Sequence, residues 1–283
     1  MMKKILVALD GSENAEKALS WVRSTARREK AQVHLVRVAS LEEFGREYVH
    51  VELRFAHDYL QGLAAKLNAA GIPCTFTARV GDPARLIVRT AEAQGCGMIL
   101  MTTRGGSTIR RWAIGGVTEK VLRLSPVPVL VIRGRAVRRI RRILVPVDGS
   151  ALAETAVPWT ARLAKLLGAK LVFVHVYPAG PVGLRTWHQE KFEAIDRRMT
   201  RLCLDLAKKG VKASFNVQSG DPADRILAFA VPNDLIVTTT HGAGGFKRWV
   251  FGSVAEKLIH EASIPVLVYK SPAAAAGAAR RPA

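Results

Sequence analysis

Three sequence blocks recur in the same order at nearly constant spacing, and this repetition limits the fold more than any other feature of the chain. Ile5-Leu6-Val7-Ala8-Leu9-Asp10-Gly11-Ser12 returns 138 residues later as Ile143-Leu144-Val145-Pro146-Val147-Asp148-Gly149-Ser150. Gly81-Asp82-Pro83-Ala84 returns as Gly220-Asp221-Pro222-Ala223, and Pro126-Val127-Pro128-Val129-Leu130-Val131 is echoed by Ser263-Ile264-Pro265-Val266-Leu267-Val268. Such a chain is a duplicated domain. The expected units are residues 1–137 and 138–272, each long enough to bury a core of its own. Residues 273–283 are Ala-rich, have no counterpart in the first copy and read as a disordered tail.

Within each copy, short runs rich in Val, Ile and Leu alternate with longer amphipathic stretches. In the second copy the strand-like runs are Ile143–Val147, Lys170–Tyr177, Lys212–Gln218, Leu235–Thr239 and Val266–Tyr269. Helical spacing of apolar residues runs through Leu152–Leu167, Gln189–Lys208, Pro222–Ala230 and Ser253–Glu261. Strands apolar on both faces and separated by helices predict a parallel sheet covered on both sides. With right-handed crossovers, the expected fold is α/β: two tandem doubly wound five-stranded α/β/α sandwiches. Asp82-Pro83 and Asp221-Pro222 each place a capping acid before a first-turn proline, and Ser12 and Ser150 or Gly149 precede two further helices. Gly71, Gly168 and Gly210 follow helical stretches, where a left-handed residue is wanted.

The net charge of +20 favours polyanionic partners, whether nucleotides, nucleic acid or acidic head groups. Much of it sits at the junction of the copies, in Arg133, Arg135, Arg138, Arg139, Arg141 and Arg142. This run reads either as a solvated linker or as an anion-binding stripe, and no aromatic residue interleaves to make a base-stacking platform. No apolar run approaches the roughly 20 residues of a membrane span. Asp10 and Glu13 follow the basic start too closely for a signal peptide. Cys74, Cys96 and Cys203 are isolated, without metal-ligand or disulfide-framework spacing. These features predict a cytoplasmic protein without a metal site. His34 and His175 lie in apolar strands and read as core residues, and no nucleophilic triad is identifiable.

The chemistry-bearing segment of the second copy leaves a buried strand at Thr239, passes through Thr240-His241-Gly242-Ala243-Gly244-Gly245 and enters a helix at Gly252-Ser253-Val254. Glycines let backbone N–H groups approach an anion, and a helix N-terminus offers unpaired donors and a positive dipole end. The Ser253 hydroxyl can donate to a phosphate oxygen. The spacing is neither the Rossmann nor the Walker pattern. Asp148 ends the first strand of the same copy, where a carboxylate can accept from ribose hydroxyls or an adenine amino group, or cap the next helix. Pro146 donates no ladder hydrogen bond and suits a strand end beside a ligand.

The strand ending Pro146-Val147-Asp148-Gly149-Ser150, the Thr240-His241-Gly242 turn, the Gly242-x9-Gly252-Ser253-Val254 spacing and the closing Ile264-Pro265-Val266-Leu267-Val268 resemble the universal stress protein family. The repeat extends the resemblance over almost the whole chain, as a tandem member with an adenine-nucleotide alpha hydrolase-like fold. It implies that Pro146, Val147, Asp148 and Val176 line an adenosine pocket, and that Gly242, Gly252, Ser253 and Val254 hold phosphates, with His241 stabilising the turn. The family's ATP-binding pattern has a glycine at the position of Thr239, the one departure in this copy.

The first copy resembles that pattern less well. Asp10 and Val38 keep their positions, as do Gly105 and Gly115. Ala8 stands for Pro146, Thr102 for Thr239, Arg104 for His241 and Gly116 for Ser253. Losing one hydroxyl contact costs about 0.5–1.5 kcal/mol, so the first site is expected to be the weaker. The leading expectation is a stress-response regulatory protein. ATP, alone or with Mg2+, or another adenine nucleotide would act mainly in the second copy as a conformational or assembly switch. The rivals are a slow ATPase or nucleotidyl-transfer enzyme, which needs a metal-binding acid near the terminal phosphate, and a basic polyanion-binding protein. The copies are expected to pair through their last strands as an internal pseudo-dimer, since apolar edges find partners. A further homodimer is the other expected assembly.

Overall fold

The structure, a computed structural model, describes residues 3–102, 115–133, 139–149, 155–177, 185–239 and 251–270. Two compact units follow one another along the chain, with the break between Arg139 and Ile140. The first unit runs β1 (Lys4–Ala8), α1 (Glu13–Glu29), β2 (Gln32–Ala39), α2 (Leu41–Ala69), β3 (Cys74–Val80), α3 (Pro83–Ala93), β4 (Met98–Thr102), α4 (Gly116–Leu124) and β5 (Val129–Ile132). Its strand order is β3-β2-β1-β4-β5, and every pairing is parallel. Ile5, Leu6, Val7, Met98, Ile99 and Leu100 are all buried, so the central strands are covered on both faces.

The second unit repeats this plan: β6 (Arg142–Pro146), α5 (Val157–Leu167), β7 (Lys170–Tyr177), α6 (Arg185–Lys208), β8 (Ala213–Ser219), α7 (Pro222–Phe229), β9 (Asp234–Thr239), α8 (Ser253–Glu261) and β10 (Val266–Tyr269). Its order is β8-β7-β6-β9-β10, again all parallel. The expected α/β class, with a doubly wound parallel sheet in each tandem copy, is the observed one.

Helix ends follow the local signals. Ser12 Oγ accepts from the Ala15 amide at 3.1 Å, Asp82 from that of Arg85 at 2.8 Å and Asp221 from that of Asp224 at 3.0 Å. Gly168 closes α5 in the left-handed conformation, at φ 62°. The sequence reading starts this helix at Leu152; α5 is described from Val157, with Pro158 in its first turn, and the residues that would carry the earlier start lie outside the described residues. Proline is accommodated there because it lacks an N–H that would be unpaired anyway. Ser150 and residues 151–154, and the tail at 273–283, lie outside the described residues.

Polar groups buried in the sheets, His34 and Asp234 among them, have partners. His34 of β2 contacts the Thr75 and Thr77 hydroxyls of β3 at 2.7 and 2.9 Å. Burial, reinforced by Lys4, pulls its pKa down to about 4. Asp234 opens β9 and takes two hydrogen bonds from Arg142 of β6, at 2.9 and 2.5 Å, and one from the Val231 amide at 2.9 Å. The Arg142 guanidinium also lies 5.0 Å from the centroid of the Phe229 ring. His175 is likewise a partnered core histidine.

Two outcomes follow. The imidazole of His34 stays neutral in the folded unit down to about pH 4, while the unfolded chain protonates near 6.5. Its contribution is complete above pH 6.5 and is lost as pH falls toward 4, on the order of 3 kcal/mol in total. Urea midpoints for wild type and His34→Gln should therefore converge as pH drops from 7 to 4.5; parallel curves would deny the linkage. Arg142→Met leaves the Asp234 carboxylate buried without its cation. It should destabilise the second unit by roughly 3 kcal/mol, measured by denaturant unfolding at neutral pH.

Candidate functional site

A crossover chain that winds outward from β1 through β2 to β3, then returns to β4 on the other side of β1, leaves a crevice at the carboxyl ends of β1 and β4. The first unit holds a cavity of about 1030 Å³ there. One wall is Ala8, Leu9 and Asp10 at the end of β1, with Val38 of β2 beside it. The opposite wall is Met101 and Thr102 of β4 and Gly115, Gly116 and Val117 at the start of α4. Gly81-Asp82-Pro83-Ala84 and the first turn of α2 complete the lining.

The chemistry of these walls follows from their local structure. Gly115 is the N-cap of α4 and has no side chain with which to cap it, so first-turn amides can serve as donors at the cavity wall. Lys120, one turn further on, adds a cation. Asp10 accepts from the Ser12 amide at 3.0 Å and from its hydroxyl at 2.6 Å. The candidate ligand group is thus an exposed carboxylate whose Oδ1 is engaged with Ser12, the residue that caps α1. A Cβ on Gly116 would have no atom within 4 Å, so nothing in the packing there demands glycine.

Arg37 and Glu52 are cavity residues that sequence reading missed. The Arg37 guanidinium pairs with the Glu52 carboxylate and lies 5.4 Å from the centroid of the Tyr59 ring. It fills the space over Gly11, where a Cβ would come within 2.6 Å of Nη1 and where φ is +86°. The positive φ calls for glycine at position 11, and any side chain there would also have to displace the Arg37 guanidinium. The partners are 15 residues apart on different elements, a separation with no periodic signature.

The second unit assembles the corresponding termini. Pro146 ends β6, Val147 is buried, and Asp148 is exposed just beyond the strand. Val176 lies near the end of β7 and Thr239 is the last residue of β9. Gly252 is the N-cap of α8, again without a side chain of its own to cap it, and Ser253 and Val254 are its first two residues. His175 Nδ1 lies 2.7 Å from the Val147 carbonyl, which can only accept, so this nitrogen carries the proton. Arg198 of α6 donates to the Gly149 carbonyl at 3.1 Å. These two contacts hold the turn carrying Asp148, and neither was visible in sequence spacing. His241, Gly242, Arg104 and Gly105 lie outside the described residues.

The copies differ in how they treat a cation near this end. Lys257 of α8 contacts Asp224 at 2.6 Å and Asp221 at 3.5 Å, and the Asp224 contact leads in raising its pKa. Arg85 occupies the place of Asp224 in the first copy, so that copy lacks the second acid beside Asp82. Among the described residues, no group of three or more His, Cys, Asp or Glu side chains could hold a metal ion. No described helix is long and apolar enough to cross a membrane.

Comparison with known proteins assigns the class. The sequence profile of the Universal stress protein family matches residues 1–133 and again 139–270. The chain therefore belongs to the universal stress protein family, as a tandem two-domain member. A universal stress protein of Mycolicibacterium smegmatis is 24% identical over 291 residues, covering 94% of this chain and 96% of that one. A universal stress protein of Methanocaldococcus jannaschii is 34% identical over 143 residues, 47% of this chain and 83% of its own. Among solved structures, a universal stress protein from Archaeoglobus fulgidus matches with a TM-score of 0.74 at 26% identity, covering 95% of this chain and 96% of that one.

Proposed function

We propose that this protein binds ATP or a related adenine nucleotide at the carboxyl ends of its central strands, more tightly in the second unit, and that occupancy switches its conformation or assembly in a stress response. The observation that carries this reading is the cavity of about 1030 Å³ in the first unit, whose walls include Asp10, Val38, Thr102, Gly115 and Gly116. That volume is at the upper end for small-molecule sites. A helix N-terminus opened by glycine and a cation on one wall suit phosphates, and an apolar strand end with a carboxylate suits a nucleoside. In the second unit Pro146, Val147, Asp148 and Val176 would take the adenosine, and Gly252, Ser253 and Val254 the phosphates, with Thr239, His241 and Gly242 joining from the intervening loop. Mg2+, where present, would travel with the phosphates. Pairing of the two copies through their last strands also belongs to this proposal, since β5 and β10 are both apolar.

The glycines that open the two candidate phosphate helices are not held in a glycine-only backbone conformation. Gly252 has φ −60° and ψ 149°, and Gly115 has φ −62° and ψ 142°, conformations open to any residue. Gly252→Val should therefore fold and fail only in binding.

Calorimetric titration with ATP tests the asymmetry. Gly252→Val should remove most of the binding and Gly115→Val much less. Gly116→Ser, which installs the missing hydroxyl in open space, should tighten the first site by up to roughly tenfold. The opposite ranking of the two valine variants would reverse the assignment of the stronger copy. No effect from any of them, together with DNA binding that falls steeply with salt, would move the polyanion reading ahead.

A further inference from the structure

Duplication supplies an internal control for surface function: a side chain that one copy needs only for folding should be matched in the other. Helix α2 carries a stripe that fails this test at two of its three positions. Tyr48, Val51 and Phe55 are 66%, 38% and 63% exposed. Their spacing of three and four residues stacks them on one stripe of the helix, while Val49, Ala56, Leu60 and Leu67 are buried. A soluble helix rarely leaves two aromatic rings and a valine in line facing water.

Helix α6 occupies the same place in the second unit. The two align at an offset of 139 residues, fixed by matching C-terminal turns. The Ile72 amide bonds to the Leu67 carbonyl, as the Val211 amide bonds to that of Leu206, and left-handed Gly71 and Gly210 follow the helices. At this offset Tyr48 is matched by another aromatic, Trp187, but Val51 corresponds to Glu190 and Phe55 to Ala194. Ala194 is exposed, as Phe55 is. The repeat thus carries a carboxylate residue at one of these places and a bare methyl at the other. Val51 and the Phe55 ring, which complete the apolar stripe of α2, serve something other than the core.

We infer that this stripe is a self-association surface, on which α2 pairs antiparallel with α2 of a second copy of the chain. The register follows from the heptad spacing. Tyr48 and Val51 occupy the two apolar positions of one repeat, and Phe55 opens the next. An antiparallel two-fold sets Tyr48 of each copy against Val51 of the other, with Phe55 reaching toward the start of the opposing helix. Glu47 and Arg54 are both exposed, seven residues apart on one flank of the stripe. In this register the Glu47 of each copy meets the Arg54 of the other, twice by symmetry. A parallel pairing loses that match. One seam of three large side chains per copy is at the small end of specific interfaces, so the dimer is weak and concentration-dependent. This inference is independent of nucleotide binding, and it supplies the contact by which two tandem chains would form a four-unit assembly.

Sedimentation velocity of the full chain over a wide concentration range tests it. Wild type should pass from monomer to dimer. The Val51→Glu, Phe55→Ala double variant, which copies the second unit at both places, should remain monomeric while keeping its circular dichroism spectrum. Glu47→Arg and Arg54→Glu should each weaken the dimer roughly threefold to tenfold, as expected for losing two exposed ion pairs. The two together should restore it, because the swapped charges again oppose. A dimer that survives the Val51→Glu, Phe55→Ala variant, or a charge-swapped double variant as weak as the singles, overturns the pairing. A wild-type chain that stays monomeric throughout overturns it too, and co-sedimentation of that chain with anionic phosphatidylserine vesicles would assign the stripe to a lipid surface.

Discussion

Parallel pairing on both sides of the first strand of each unit is the constraint from which the rest follows. β1 pairs with β2 on one side and β4 on the other, and β6 pairs with β7 and β9 in the same way. Each crossover helix returns the chain to the amino end of the sheet, so every strand delivers its carboxyl end to the same edge. Where the winding reverses, two neighbouring strand ends are left without a shared crossover above them. Asp10, Val38, Thr102 and Gly115 meet there although 105 residues of chain separate the first from the last. The burial of Ile5, Leu6, Val7, Ile99 and Leu100 holds this edge in place, and the variable chemistry sits on turns beyond it.

Duplication then allows the copies to diverge without disturbing the scaffold. The second keeps Ser253 on the helix N-terminus, orders its strand-end turn through His175 and Arg198, and ties Lys257 to two aspartates. The first has Gly116, an Arg37–Glu52 pair over Gly11, and Arg85 in place of the second acid near Lys120. Each difference falls on the strand ends, the turns or the helices flanking them, and none falls on the central strands. That distribution is what two sites with different ligand affinities would require of a repeated fold.

Much of this was legible in the sequence because it is local or periodic. The strands β7 and β10 and helix α8 match the sequence reading at both ends, and aspartate-proline pairs marked the starts of α3 and α7. The Arg37–Glu52 pair, the His175–Val147 bond and the Arg198–Gly149 bond join separate elements, and no spacing rule connects their members. The apolar stripe on α2 was hidden for another reason. Periodicity marks Tyr48, Val51 and Phe55 as helical, but only burial distinguishes which face of an amphipathic helix meets the sheet.

Adenine-nucleotide binding is the central claim, and mass spectrometry of small molecules released by denaturing the purified full-length chain tests it most directly. The account predicts an adenine nucleotide in the released fraction, at no more than two per chain and reduced by Gly252→Val. Release of no nucleotide, combined with no heat of binding on adding ATP to the same preparation, would contradict it.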